Sequence, residues 1–313
     1  MTGGAGFIGS NLVDALLDRG DEVTVIDNLS TGRHRNLEPA IARHGVELHV
    51  EDITDARAVG RIVESVTPEV IYHLAAQIDV RKSIAEPPVD AAVNVLGTIN
   101  LLEAARAHGQ PRFVFSSTGG AIYGEGAHRR LPLDESADCH PDAPYGQSKL
   151  AAEGYLDLYR RMFDVPTVAL RLGNVYGPRQ DPLGEAGVIA IFCGKLLAGE
   201  QPTVFGTGRQ TRDYIHVADV VAGFIAAGSA DVGGAFNLGT GRESSVLDLV
   251  EAMGRLGGPG RFEAQMAPAR KGEVERIAID PSAAQATLGW QARIALDEGL
   301  AQTFDATKAE QAA

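Results

Sequence analysis

The chain has 313 residues, of which 44% are hydrophobic and 22% are charged, as in an ordinary globular protein. The formal net charge of −13 argues against broad binding to nucleic acids or anionic membranes, and no apolar run is long enough to span a bilayer. The two cysteines, Cys139 and Cys193, have no metal-binding spacing, so we expect reduced thiols in a cytoplasmic protein and no metal site.

The first half of the chain alternates short β-branched runs with amphipathic helical segments. Strands are predicted over residues 22–27, 46–52, 70–76, 112–118 and 167–175. This alternation predicts a Rossmann-type, doubly wound parallel α/β sheet. After Asn174 the regular alternation of strands and helices ends in a loop rich in glycine and proline. We therefore expect a first domain over residues 1–174 and a smaller α/β region over residues 175–313, with residues of about 211–241 rejoining the first domain.

The chain opens with a glycine-rich loop, MTGGAGFIGS. Gly3, Gly6 and Gly9 recur at every third position, a pattern that makes a tight turn and lets the backbone approach a pyrophosphate. The helix that begins near Phe7 directs its first N–H groups at the phosphates. Asp27 ends the next predicted strand, where it can accept hydrogen bonds from the adenosine ribose and repel a 2′-phosphate. The sequence thus predicts an NAD site that disfavours NADP.

A later strand end carries Asp52 and Ile53, which are placed to contact the adenine. The residue types alone do not distinguish these two from ordinary loop residues.

Only Met1 and Thr2 precede the glycine loop. In a doubly wound sheet the first strand is central, and it is usually an apolar run of about five residues. Losing three or four buried aliphatic side chains, at about 1.5–3 kcal/mol each, would remove stability comparable with that of a whole domain. We therefore expect either a short apolar segment before Thr2 in the native chain or a sheet with a vacant or distorted slot.

The segment YGQSK places Tyr145 and Lys149 four residues apart, on one face of a helix. A free phenol has a pKa of about 10, and a nearby ammonium stabilises its phenolate. The pair is a candidate general base near neutral pH. The strand-end hydroxyls of Ser116, Ser117 and Thr118 face the same ligand crevice, where one of them can bind the oxygen that reacts.

Several motifs together resemble those of one enzyme family. TGGAGFIGS, Asp27, HLAAQ, Asn94, SST, YGQSK and LRLGNVYGPRQ are similar to the motifs of extended short-chain dehydrogenases/reductases. The resemblance is closest to NAD-dependent nucleotide-sugar epimerases of the UDP-glucose 4-epimerase type, and it runs from Thr2 to about Trp290.

This resemblance implies epimerisation at C4 of a UDP-hexose through a transient 4-keto sugar, in a homodimer. The residues implied to hold NAD are Gly3, Gly6, Phe7, Ile8, Gly9, Asp27, Asn28, Leu74, Ala75, Ala76 and Asn94. Thr118, Tyr145 and Lys149 match the family's catalytic triad, in which the tyrosine and lysine also touch the cofactor. Asn174, Arg212 and Arg270 are implied to bind the UDP-sugar, and planar guanidinium groups suit a diphosphate.

The sequence departs from the family pattern at three places, one of which is Glu273, where aspartate is common. SSTGGAIYG has one residue more than the commoner motif, so Ser117 competes with Thr118 for the third triad position. Ile277 stands where some relatives have a bulky tyrosine, so we expect a sugar pocket that tolerates substituents.

Other functions remain open at this point. A 4-epimerase acting on UDP-glucuronate or a UDP-N-acetylhexosamine would carry the same motifs. A nucleotide-sugar 4,6-dehydratase needs an Asp-Glu pair directly after the strand-end hydroxyl, where this chain has Gly119 and Gly120. A non-catalytic NAD-binding regulator is disfavoured because Tyr145 and Lys149 are both present.

Overall fold

The computed structural model describes residues 1–126, 128–182, 187–258, 262–269 and 274–312. The helices in these residues are α1 (Phe7–Asp18), α2 (Glu38–His44), α3 (Ala56–Val66), α4 (Val80–Ala85), α5 (Pro87–Ala91), α6 (Gly97–Ala107), α7 (Gly119–Ile122), α8 (Pro144–Phe163), α9 (Val188–Ala198), α10 (Val217–Ser229), α11 (Val246–Gly257), α12 (Ser282–Leu288) and α13 (Leu296–Ala312). A 3₁₀ turn covers His34–Asn36, and a π-helical turn covers Ala92–Leu96 between α5 and α6.

The strands are short. They are β1 (Thr24–Ile26), β2 (Glu47–His49), β3 (Val70–His73), β4 (Arg112–Thr118), β5 (Thr167–Leu172), β6 (Asn174–Tyr176), β7 (Thr203–Phe205), β8 (Thr211–Arg212), β9 (Tyr214–His216), β10 (Gly234–Leu238), β11 (Ser244–Ser245) and β12 (Gln265–Ala267).

The main sheet is parallel and confirms the predicted doubly wound α/β fold. β1 pairs with β2, and β3, β4, β5 and β10 follow one another on the other side. Thr2 joins the two parts, because it forms parallel bridges with both Ile26 and His73. The spatial order is therefore β2, β1, Thr2, β3, β4, β5, β10, in which the start of the chain is central, as in dinucleotide-binding folds.

The central position of the first strand is represented here by Met1 and Thr2 alone. Ile26 N donates to Met1 O at 2.8 Å, and Thr2 N donates to Tyr72 O at 2.9 Å. The Thr2 side chain is 1% exposed, and its hydroxyl lies 2.8 Å from His73 Nδ1. These contacts fix the carboxyl end of the slot, which is the end from which the glycine loop leaves the sheet.

Both faces of the sheet are covered, because alternate side chains of each strand enter different cores. Phe113 and Phe115 of β4 pack with α3, α6 and α8, whereas Val114 packs with α1 and α10. Burial on two faces explains why the strand sequences are almost continuously apolar. Polar side chains appear where the strands end, which places a ligand crevice at that edge.

The later part of the chain has a core of its own. Apolar side chains of β6, α9, α11 and α13 pack together, with Phe192, Leu249 and Leu300 almost completely buried. β10 nevertheless lies in the main sheet beside β5, and α10 packs on α1. The predicted boundary at residues 174 and 175 stays a prediction. Within the described residues, no helix is long and apolar enough to cross a membrane.

Candidate active site

The glycine loop leaves Thr2 and turns into α1 with very tight packing. A Cβ on Gly9 would lie 2.0 Å from Gly3 O, and one on Gly3 would lie 2.6 Å from Ala75 N. Gly3 also has a φ of +71°, which favours glycine. Among the residues that the structure describes, no side chain caps the start of α1 at Gly6, so the first N–H groups, including those of Phe7 and Ile8, remain for a ligand. The loop fits the phosphates of a dinucleotide.

Asp27 follows β1 and is already engaged in shaping this loop. Its carboxylate accepts hydrogen bonds from Ala5 N and Leu29 N, both at 2.9 Å. Burial raises the pKa of Asp27, although these backbone bonds oppose the rise. Each carboxylate oxygen keeps a further lone pair, so the predicted contact with a ribose hydroxyl is compatible with the geometry.

The residues predicted near the adenine lie at two neighbouring strand ends. Asn28 Nδ2 donates to Asp52 Oδ2 at 2.7 Å, which joins the loops after β1 and β2. Burial alone would raise the pKa of Asp52, but bonds from Thr54 and Asn28 lower it below the usual value. The Ile53 side chain is 5% exposed and packs against Gly97 in the core, so the structure buries the side chain that was predicted to contact the adenine.

Leu74, Ala75 and Ala76 continue beyond β3 as a half-buried segment beside the glycine loop. Gln77 follows this segment and is hydrogen bonded to Asn94, which lies in the π-helical turn. Asn94 Oδ1 accepts from Gln77 N at 2.9 Å, and Asn94 Nδ2 lies 3.1 Å from Ser148 Oγ on α8. Asn94 therefore ties the predicted cofactor groove to the helix that carries Tyr145.

Tyr145 and Lys149 lie on α8, and Thr118 ends β4. The Thr118 hydroxyl is hydrogen bonded to Tyr145. Lys149 Nζ donates to Ser116 O at 2.8 Å and lies 4.6 Å from the centre of the Phe115 ring. The three residues of the predicted triad are thus brought together at the carboxyl end of β4.

The pKa values of Tyr145 and Lys149 differ from the expectation that the lysine makes the tyrosine a base near neutral pH. Burial raises the pKa of Tyr145 to about 12; Asp90 adds to the rise, and the Thr118 bond opposes it. Burial also lowers the pKa of Lys149 to about 7, against the charges of Asp90 and Glu153. Lys149 by itself therefore does not make Tyr145 a phenolate near neutral pH, because loss of water outweighs its attraction.

The choice between the two candidate hydroxyls follows from the alternation of side chains along β4. Ser117 is 3% exposed, and its Oγ donates to Glu153 Oε1 at 2.6 Å, eight residues beyond Tyr145 along α8. Thr118 is the hydroxyl that meets Tyr145. The structure places Thr118, and not Ser117, beside the predicted base.

The predicted substrate residues are spread over the region that follows. Asn174 begins β6, and its buried Oδ1 has no hydrogen-bond partner among the described residues. A Cβ on Gly120 would lie 3.4 Å from that oxygen, so Asn174 faces the segment just after Thr118. Arg212 is half-buried on β8. Arg270 lies outside the described residues.

Two further predicted features occupy the same region. Ile277 is 1% exposed in a cluster with Tyr123, Leu133 and Ile279, so its side chain fills core instead of lining open space. A Cβ on Gly119 would lie 2.7 Å from Ile279 Cδ1 and 3.3 Å from Leu172 O. The acidic side chain that a dehydratase carries after Thr118 would therefore have to displace the Ile279 side chain.

Sequence reasoning missed the charged groups around the triad. Glu153 is four residues after Lys149, on the same face of α8, and this spacing was a usable signal. Its carboxylate pairs with Arg171 of β5, with Nη2 to Oε2 at 2.7 Å and both side chains nearly buried. Asp90 of α5 is 1% exposed, and no motif marks it.

Comparison with known proteins agrees with this arrangement. Residues 1–303 match the family model described as GDP-mannose 4,6 dehydratase. A UDP-glucose 4-epimerase from Mycolicibacterium smegmatis is 46% identical over 307 residues, 97% of this chain and 96% of that protein. The structure of a Thermotoga maritima UDP-glucose 4-epimerase with UDP-glucose matches with a TM-score of 0.94 and 41% identity, covering 99% of this chain and 98% of that one. The structure of a Thermus thermophilus UDP-glucose 4-epimerase in complex with NAD matches with a TM-score of 0.90 and 40% identity. The match covers 98% of this chain and 97% of that one.

Two helical glycines give substitutions of opposite expected effect. Gly9→Ala forces the backbone of the loop apart, and we expect a loss of about 1–3 kcal/mol in the free energy of unfolding, together with weaker dinucleotide binding. Gly60→Ala in α3 meets nothing within 4 Å. It should stabilise the protein by about 0.5–1 kcal/mol. Urea unfolding of the two variants checks this, and equal stabilities would contradict the tight loop.

Proposed function

Because the chain belongs to the extended short-chain dehydrogenase/reductase family that the GDP-mannose 4,6 dehydratase model describes, we propose that it interconverts UDP-glucose and UDP-galactose by NAD-dependent epimerisation at C4. The observation that carries the proposal is the Thr118–Tyr145 hydrogen bond beside Lys149, at the edge of the sheet where the glycine loop opens. The tight packing at Gly119 supports an epimerase over a 4,6-dehydratase.

The side chains of the protein contribute the transfer of one proton to and from the substrate. Tyr145 takes the proton of the sugar 4-hydroxyl and returns it later, while Thr118 holds the same oxygen through its hydroxyl. Burial keeps the Tyr145 phenol protonated in the chain alone, so a positive charge close to it is required for ionisation. Lys149 supplies one such charge, and its ammonium also suits the ribose hydroxyls of a nicotinamide nucleotide.

NAD⁺, when bound, would supply the acceptor for the hydride of C4 and a positive charge that favours the Tyr145 phenolate. Gly3, Gly6 and Gly9 would hold its pyrophosphate, and Asp27 its adenosine ribose, with NAD favoured over NADP.

The substrate must present both faces of its 4-keto form in turn. Asn174 and Arg212, together with Arg270, would anchor the UDP part, which does not react. Binding energy from this remote group then orients the sugar while the ring rotates. The buried, unpartnered Oδ1 of Asn174 near Gly120 supports a ligand at this place. A cytoplasmic location, expected from the two unpaired cysteines, belongs to the same proposal.

The direct test is conversion of UDP-galactose to UDP-glucose by the purified protein. Tyr145→Phe should lower kcat by about 10²–10⁴-fold, because it removes the proton acceptor, and should leave NAD bound. Tyr155→Phe, an exposed tyrosine on the same helix, is the matched control and should keep wild-type turnover. Turnover near wild type in Tyr145→Phe, or NADP extracted from the wild-type protein, would count against the proposal.

Thr118 and Ser117 should separate catalysis from stability. Thr118→Val removes the hydroxyl that meets Tyr145, and we expect kcat to fall by about 10²-fold with little change in melting temperature. Ser117→Ala removes a bond to the Glu153 carboxylate, so it should lower the free energy of unfolding by about 1.5–3 kcal/mol and leave kcat within a few-fold of wild type. Steady-state kinetics and urea unfolding of both variants measure this, and the reverse pattern would assign the triad position to Ser117.

The expected homodimer is part of this proposal. α4, α5, the π-helical turn and α8 pack together and expose Ile84, Val89, Leu96 and Met162. We assign this face to a second copy of the chain, since neighbouring exposed apolar side chains mark protein interfaces. Leu96→Asp should halve the mass measured by light scattering, and Leu256→Asp, at an exposed leucine of α11, should not. A wild-type monomer would contradict the assignment.

A further inference from the structure

Asp90 is a buried carboxylate that the proposed mechanism does not use. It lies on α5 with 1% of its surface exposed, directly before the π-helical turn that carries Asn94. Its Oδ1 accepts from Gln77 Nε2 at 3.0 Å and from Asn94 Nδ2 at 3.1 Å. π-helical turns inside helices are frequent at functional sites.

Both donors are neutral amides whose orientation is fixed. Gln77 Oε1 accepts from Asp79 N at 2.7 Å, so Nε2 is the end that faces Asp90. Asn94 Oδ1 accepts from Gln77 N, so its Nδ2 is likewise the donor turned to Asp90. A carboxylate that receives only donors is stabilised as an anion. In the described part of the chain no lysine or arginine forms a salt bridge with Asp90, so its charge is not cancelled locally.

The same amide links Asp90 to the catalytic helix. Asn94 Nδ2 lies 3.1 Å from Ser148 Oγ, and Ser148 Oγ in turn donates to Tyr145 O at 2.9 Å. Ser148 directly precedes Lys149 in α8. Asp90 is therefore held at a fixed place beside the segment that contains both members of the pair.

Lys149 needs a nearby negative charge because its ammonium is 3% exposed. Its hydrogen-bond acceptor, Ser116 O, is neutral. Glu153 lies on α8, the helix of Lys149, but it is paired with Arg171, which cancels most of the field of that carboxylate. On β3, His73 stays neutral, since burial and the charge of Lys149 hold its pKa well below the usual value.

The other charged groups on elements packed against α8 do not replace Asp90. Arg81 and Lys82 of α4 are exposed to solvent, which screens them. Glu103 and Arg106 of α6 pair with each other at 2.6 Å, and Glu103 also accepts from Tyr159, two turns beyond Glu153. Among the described residues, Asp90 is therefore a carboxylate that has no salt bridge and whose charge acts on Lys149.

We propose that Asp90 is a positioning residue that acts through Lys149: its fixed, buried charge keeps the lysine an ammonium ion in a site that excludes water. The inference rests on the proposed function in that Lys149 must be charged to assist Tyr145. Asp90 also raises the pKa of Tyr145, so it moves both ionisations of the pair in the same direction. The pH range in which Tyr145 is ionised and Lys149 is protonated is thereby set partly by a residue outside the triad.

The test is Asp90→Asn, which keeps the shape and removes the charge. The titration of Lys149, followed by NMR of lysine labelled at Cε in the protein as purified, should move to lower pH by about one unit or more. The tyrosinate absorbance lost in Tyr145→Phe should also titrate at lower pH. Both limbs of the pH profile of kcat/KM should move down together, because removing a negative charge lowers both pKa values of a coupled pair.

Two matched variants separate charge from structure. Asp90→Glu keeps the charge and should restore most of the wild-type Lys149 titration. Asp219→Asn neutralises a buried carboxylate on α10, which packs on the other face of the sheet, and should leave that titration unchanged. An unchanged Lys149 titration in folded Asp90→Asn, with reduced turnover, would overturn the proposal.

The lysine titration needs no sugar substrate, so it distinguishes the two proposals. If the Lys149 titration shifts in Asp90→Asn but the wild-type protein does not epimerise UDP-galactose, the proposed function is wrong and the role of Asp90 is supported. If Asp90→Asn does not fold, Asp90→Ser removes the same charge and takes its place. An unchanged Lys149 titration in that variant would overturn the proposal.

Discussion

The burial of the Lys149 ammonium is the constraint on which the rest of the site depends. A cation removed from water needs compensating groups, and it finds the carbonyl of Ser116 at the end of β4 and the face of the Phe115 ring. This interaction holds α8 across the carboxyl edge of the sheet. The same docking brings Tyr145 against Thr118, so one buried charge determines both the helix position and the geometry of the proposed catalytic pair.

The sheet limits where such polar groups can emerge. Its strands are covered on both faces, with Phe113 and Phe115 entering one core and Val114 the other. Polar side chains are therefore concentrated towards the carboxyl ends of the strands, and those ends meet on one edge because the strands are parallel. The glycine loop leaves the central position on that edge through Thr2, so the predicted dinucleotide site and the triad are neighbours by topology.

Ion pairs join the distant parts of the chain around this edge. Arg171 of β5 forms a salt bridge with Glu153 of α8, and it also donates a hydrogen bond to the Tyr123 hydroxyl at 2.8 Å. Arg179 pairs with Asp14 of α1 at 2.6 Å, which connects the loop after β6 to the helix that follows the glycine loop. The Arg171–Glu153 pair is buried, and a buried pair adds little net stability, although removing one partner leaves an uncompensated charge. The two pairs fix how these parts of the chain meet around the edge of the sheet.

The sequence by itself determined the features that depend on local spacing. The glycine repeat, the Tyr145–Lys149 interval and the alternation of strands and helices each have a short-range physical cause, so they predicted the fold and most of the candidate site. The choice of Thr118 over Ser117 needed the pleat of β4 in place, since neighbouring side chains of a strand point to opposite faces. The buried charge of Asp90 and the pKa values of Tyr145 and Lys149 were decided only by tertiary structure. They depend on how much water is excluded and on which charges are already paired, and chain segments far apart in sequence determine both.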